Sequence, residues 1–205
     1  MTGKENLVFT QDAIFIKETM KTGEAVMHIG ELKLMKHLAN LVTKNGGDIL
    51  EIGFGMHLSA DEIQSNPNVK SHTIIEIHPD IYNSALNWAK DKPNVKIILG
   101  DWMDIIPTLN KKFDGILHDT HRDKNIHSFL DSIKRISNLN CIVGFFECKF
   151  FDKRIGGIRY AIDETDFKSL PYKNNSSFEN NQYELKYSTF NGVEFYNKIN
   201  TNKLL

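Results

Sequence analysis

Four short stretches place acidic side chains beside permissive or aromatic neighbours, and each follows an apolar run. The first is Glu51-Ile52-Gly53-Phe54-Gly55. Two glycines one residue apart let the chain turn tightly and bring its backbone close to a ligand. A helix beginning just beyond them would offer unpaired N–H groups to an anionic group. The dinucleotide-binding pattern needs a third glycine three positions on, and that position is Leu58. This disfavours a pyrophosphate cofactor. The second stretch ends in Glu76, 23 residues after Gly53, where a carboxylate can accept both hydroxyls of a ribose. The third is Gly100-Asp101-Trp102: Asp101 can accept from the amine of an adenine, and Trp102 either offers it a flat apolar wall or belongs to the core. The fourth is His118-Asp119-Thr120-His121, directly after Phe113-Asp114-Gly115-Ile116-Leu117.

A ribose and an adenine without a pyrophosphate point to an adenosyl sulfonium, S-adenosylmethionine (SAM). Methyl transfer from it is an in-line displacement, so the acceptor lone pair must be held about 3 Å from the methyl carbon, opposite sulfur. Asp119 is placed to orient such an acceptor and take up its proton, with His118 and His121 as further candidate bases. Glu51, Gly53, Gly55, Glu76, Asp101, Trp102 and His118 form the expected cofactor set. His28, Glu31, His37 and His57 add metal-ligand types, but no pair has a spacing such as H-E-x-x-H, and no metal is expected. A SAM-binding module without catalysis stays open as the non-enzyme alternative.

The elements that must position these residues follow from periodicity. Leu34, Met35, Leu38, Leu41 and Val42 recur at helical spacing within residues 30–44, and Gly46-Gly47 ends that helix. Strands are expected over 48–52, 73–77, 95–99, 113–117 and 141–146. Helices are expected over 58–65, 79–90, 125–137 and 158–168, with a short helical turn over 102–110. Asn191-Gly192 joins two apolar runs, 182–190 and 193–199, as a hairpin. Alternating strands and helices imply an α/β, Rossmann-like fold: a mostly parallel twisted sheet with helices on both faces and the hairpin as an antiparallel edge. Such sheets bind ligands beyond the carboxyl ends of their strands, where the four stretches lie. Residues 28–205 read as one domain, and residues 1–27 as a lid with an apolar face of Phe9, Ile14, Phe15 and Ile16.

The chain has 205 residues, 40% of them hydrophobic, enough for one such core. A net charge of -1 gives no basic field for nucleic acid. No apolar run is long enough to span a membrane, and the N-terminus does not read as a signal peptide. Cys141 and Cys148 are seven apart on one strand and point to opposite faces, so no disulfide is expected. The expected setting is the cytoplasm. Trp88, Phe150 and Phe151 are candidates for core or for a homodimer contact.

The strings Gly53-Phe54-Gly55-Met56, Glu76-Ile77-His78-Pro79-Asp80, Gly100-Asp101-Trp102 and Phe113-Asp114-Gly115-Ile116-Leu117-His118-Asp119-Thr120, in this order and spacing, resemble the guanidinoacetate N-methyltransferases and the catalytic domain of the fungal arginine δ-N-methyltransferases. The resemblance covers about residues 24–150. It implies a class I methyltransferase fold and SAM as donor. It also implies Gly53 near the methionyl part, Glu76 on the ribose, Asp101-Trp102 at the adenine, and Asp119 on the guanidino nitrogens of the acceptor. Departures bear on the acceptor. The first Glu of the relatives' M-E-x-W-E-like string is His28 here, leaving Glu31. The aromatic after D-T is His121, and the Asn after the fifth strand is Glu147. The expected reaction is N-methylation of a small guanidino or amino compound, with Glu31, Glu147 and His28 lining the acceptor pocket. Carboxylate or hydroxyl O-methylation, and methylation of a peptide or protein arginine, are the alternatives.

Overall fold

The computed structural model describes residues 1–22, 25–120, 126–147, 168–169, 183–190 and 193–200. Three short strands come first: β1 (Leu7–Phe9), β2 (Ala13–Ile16) and β3 (Ala25–His28), paired antiparallel in the order β1-β2-β3. There follow α1 (Leu32–Val42), β4 (Gly47–Ile52), α2 (Leu58–Ser65), β5 (Val69–Glu76), α3 (Pro79–Trp88), β6 (Val95–Leu99), α4 (Trp102–Ile105), β7 (Phe113–His118), α5 (Ile126–Ile133) and β8 (Ser137–Glu147). The C-terminal part adds β9 (Lys168–Ser169), β10 (Tyr183–Phe190) and β11 (Val193–Asn200). The main sheet runs β6-β5-β4-β7-β8-β11-β10-β9.

Pairings among β6, β5, β4, β7 and β8 are all parallel. Parallel sheets need both faces covered, and the sequence supplies helices for both. Leu34, Met35, Leu38, Ala39 and Val42 of α1 are buried with Ile49, Leu117 and Ile142 of the sheet and with Leu58 and Ile63 of α2. On the opposite face Leu50, Ile52, Ile116 and Val143 pack with Trp102, Ile106, Phe129 and Ile133. Neighbouring residues such as Ile49 and Leu50 serve opposite clusters, as strand alternation requires.

The hairpin forms from the expected strands and supplies the antiparallel edge of the sheet. β11 runs parallel to β8, and the antiparallel pairings are β10 with β11 and β9 with β10. A two-residue turn dictates only how the hairpin's own strands pair. The sense in which it meets the sheet depends on the path of the chain from 148 to 182. The expected helix over 158–168 falls almost wholly outside the described residues. Phe150 and Phe151 also lie outside them. Trp88 packs within the molecule: its ring meets Phe54 edge-on at 5.3 Å and its Nε1 donates to Asp61 at 2.7 Å.

The residues expected to form a lid make the three-stranded sheet. Ala13 and Ile14 are buried, while Phe9 is half exposed. Ile14 packs with Phe54, Ile74 and Ile81, against which Met1, Leu7 and Val26 also lie. Among the described residues no helix is long and apolar enough to cross a membrane.

Candidate functional site

Sheet register brings the four stretches to one edge. Ile52 pairs with Ile75 on one side and His118 on the other, Glu76 with Leu99, and His118 with Phe145. The residues just past these positions are Gly53, Asp119 and Gly100, and they emerge level with one another beside Glu76. Gly53 has φ +88, and a Cβ there would lie 2.1 Å from the Asp119 carbonyl oxygen. The Asp119 N–H in turn donates to the Ile52 carbonyl at 2.9 Å. The turn after β4 therefore touches the turn after β7 backbone to backbone, which only glycine permits.

Glu76 is 2% exposed. One carboxylate oxygen accepts the His78 N–H at 2.8 Å and the other accepts the Phe54 N–H at 2.9 Å. Burial pushes its carboxyl above the ordinary carboxylate range, outweighing the N–H groups of Phe54, His78 and Ile77 that pull it down. The carboxylate has about four lone-pair sites and the N–H groups of Phe54, His78 and Ile77 occupy three, which leaves one for a hydroxyl donor. The residues thus fit the ribose of an adenosyl cofactor. Gly55, at φ +53, faces Met27: a Cβ there would sit 2.5 Å from the Met27 sulfur, which accepts the Met56 N–H at 3.1 Å. Thus β3 of the N-terminal sheet lies directly on the glycine turn.

Other expected cofactor residues are placed differently. Glu51 does not reach the rim. Its carboxylate is fully buried between the Ser59 hydroxyl, a close hydrogen bond, and His72 Nε2 at 2.9 Å, because side chains on a strand alternate and this one points to the α2 face. Trp102 is 6% exposed and lies in the core, edge-on to His118 and Phe129 at 5.7 Å each, so it offers no free wall to an adenine. His118 is likewise in the core, 4.2 Å from the Phe129 ring, on the sheet face that α5 covers. Asp101 stays half-buried at the edge, where one oxygen caps α4 by accepting the Met103 N–H at 2.9 Å.

His28 and Glu31 are brought together in a reciprocal cap. His28 Nδ1 accepts the Gly30 N–H at 2.9 Å, and Glu31 accepts the His28 N–H at 3.2 Å. This pair opens the turn that leads into α1. Glu147 is the last residue of β8, level with the site edge. His121 lies outside the described residues.

A model of the guanidinoacetate N-methyltransferase family matches residues 15–141, well over half of the chain. The chain belongs to that family. Protein arginine N-methyltransferase 2 of Candida glabrata is 36% identical over 152 residues, covering 68% of this chain and 36% of the relative. The protein of the same name from Yarrowia lipolytica is 30% identical over 154 residues, covering 70% and 31%. The chain thus spans about a third of the length of these relatives. N-methyltransferase NodS from Bradyrhizobium japonicum WM9 superposes with a TM-score of 0.55 at 16% identity, over 73% of this chain and 91% of that one. The fold is that of the class I, Rossmann-like methyltransferases.

Three residues of this guanidinoacetate N-methyltransferase family member were not singled out as site residues from sequence. Met27 carries no signal of its own in the sequence, yet its sulfur meets the glycine turn. His72 sits in mid-strand, and only its partner Glu51 explains a polar residue there. His78 carried one legible signal, its place before Pro79. A residue preceding proline favours an extended backbone, and Pro favours the first helical position, which makes His78 the N-cap of α3.

Proposed function

We propose that this chain transfers the methyl group of SAM to a guanidino or amino nitrogen of a small-molecule acceptor. The observation that carries the reading is the backbone contact of Gly53 with Asp119 beside Glu76: a cofactor anchored on Glu76 and passing Gly53 arrives next to Asp119. When bound, SAM supplies an electrophilic methyl group on a sulfonium. Glu76 offers its remaining lone pair to a ribose hydroxyl. Asp119 accepts N–H bonds from the acceptor, turns the nitrogen lone pair toward the donor, and takes the proton the nitrogen gives up as its bond to carbon forms. The family match and the class I fold support this reading.

The N-terminal sheet acts as the lid, excluding water from the sulfonium. Glu31 and Glu147 are the carboxylates available to share a cationic acceptor with Asp119. His28 uses Nδ1 in its cap and takes no part in anion binding through that atom. The names of the relatives favour a second reading, a peptide or protein arginine as acceptor.

The test is titration calorimetry with SAM and S-adenosylhomocysteine, followed by labelled methyl transfer to guanidinoacetate, arginine, small amines, carboxylic acids and arginine-containing peptides. We expect a base-stable product on nitrogen. Asp119→Asn should lower kcat by about 10²- to 10⁴-fold and leave cofactor affinity near the parent value. A base-labile methyl ester would replace the reading with O-methylation, and label entering peptides alone would select the second reading.

A further inference from the structure

The contacts of His78 set it apart from the other helix caps. Its backbone N–H donates to Glu76 at 2.8 Å, so it belongs to the frame of the ribose carboxylate. Its imidazole is 3% exposed and uses both nitrogens. Nδ1 accepts the Asp80 N–H at 3.2 Å, capping α3, and Nε2 lies 2.8 Å from the Glu5 carbonyl oxygen. A carbonyl only accepts and a backbone N–H only donates, so the two contacts together assign the neutral tautomer with the proton on Nε2.

Glu5 belongs to a tightly folded turn. Its carboxylate accepts the Thr2 N–H at 2.7 Å and the Lys4 N–H at 3.1 Å. Gly3 in that turn, at φ +77, sits so close to Ile77 that a Cβ would fall 2.6 Å from the Ile77 carbonyl oxygen. Asn6 then accepts the Lys17 N–H at 2.8 Å, tying the turn to the residue after β2. Besides the apolar packing of Ile14, polar contacts pin the N-terminal sheet at two places. Met27 pins it to the glycine turn, and His78 pins it to the ribose side.

We infer that His78 is a positioning residue that latches the N-terminal turn over Glu76, so that closure of the sheet and retention of the adenosyl cofactor are coupled through this one imidazole. The inference rests on the cofactor reading above but not on the identity of the acceptor. The latch needs a side chain long enough to cap α3 and still reach Glu5. Asparagine can accept the Asp80 N–H but is too short to donate to Glu5 as well, so it separates the two roles.

The experiment compares the parent with His78→Asn, His78→Ala and Gly3→Ala by amide hydrogen exchange, and by stopped-flow dissociation of S-adenosylhomocysteine. Gly3→Ala disturbs the same docking from the other side without touching the cap. We expect His78→Asn and Gly3→Ala to speed exchange of residues 4–9, and to raise the dissociation rate about tenfold, the loss of one well-placed hydrogen bond. His78→Ala should do the same and also lower thermal stability through loss of the cap. A purely structural histidine would show its effect in stability alone, with His78→Asn rescuing it. The inference is overturned if His78→Asn leaves both the exchange of residues 4–9 and the dissociation rate at parent values. If the parent itself has no affinity for S-adenosylhomocysteine, the cofactor reading and the coupling fall, while the exchange rates still decide whether the pin exists.

Discussion

Replacing His72 with leucine would remove one side of a buried polar pair that has no access to water. Glu51 and His72 are both completely buried, 2.9 Å apart. His72 Nδ1 lies 3.3 Å from the Gln64 amide, and the other Glu51 oxygen is held by Ser59. Two residues of α2, Ser59 and Gln64, are thereby fastened to β4 and β5 underneath the glycine turn. Removing one partner of a buried pair costs about 3–5 kcal/mol, because the remaining polar group is left in a medium that solvates it poorly. Ser59 still serves Glu51 in the variant, so the lower end, about 3 kcal/mol, applies. For a chain of this size 1 kcal/mol shifts Tm by about 2–4 °C, which makes the expected drop about 6–12 °C. Denaturant unfolding of the parent, His72→Leu, Glu51→Leu and the double variant would close the cycle. Two leucines leave neither partner unpaired, so the double variant should be less destabilised than the sum of the single ones, and by more than about 1 kcal/mol. A His72→Leu protein that melts within a degree or so of the parent, or effects that simply add, would refute the account of the pair.

Three further outcomes follow from the same geometry. Glu76 has its carboxyl raised by burial, so between the ordinary carboxyl value and that raised value the folded chain holds more protons than the unfolded one; stability falls as pH rises through this window. A ribose hydroxyl requires the ionised carboxylate, so affinity for S-adenosylhomocysteine should rise across the same window, and calorimetry at several pH values should find that dependence absent in Glu76→Gln. Gly53→Ala would drive a methyl group into the Asp119 carbonyl and force φ +88 on an L-residue, so we expect loss of measurable cofactor binding, read by thermal shift with and without ligand. Cys141 is fully buried and its thiol is pushed up to about 12 by burial, with the hydrogen bond to Ser137 too weak to offset it. In a Cys148→Ser background it should resist a disulfide reagent until denaturant is added; fast labelling of the native protein would contradict the packing.

Local signals marked the framework of the site. The strand over 95–99 and the helix over 58–65 coincide with their sequence-based bounds, since short apolar runs flanked by turn residues have few alternatives. The pair Gly53 and Gly55 was legible because both adopt positive φ, and so was the cluster of acidic residues after successive strands. The N-terminal sheet was not legible. Strands of three or four residues leave too few positions for alternation to register, and what orders them is contact with Phe54, Ile77 and His78 from far along the chain.

The sequence by itself determined the strand–helix alternation, the sharp turn after β4 and which acidic residues end the parallel strands, because propensity, periodicity and glycine stereochemistry act within a few residues. Only the tertiary structure decided which way each polar side chain faces. Glu51 turns inward to His72, while Trp102 and His118 enter the core with Phe129. Glu76 stays at the site edge under a sheet pinned by Met27 and His78. A side chain's partners depend on register and layer packing between distant segments, and no local spacing encodes those.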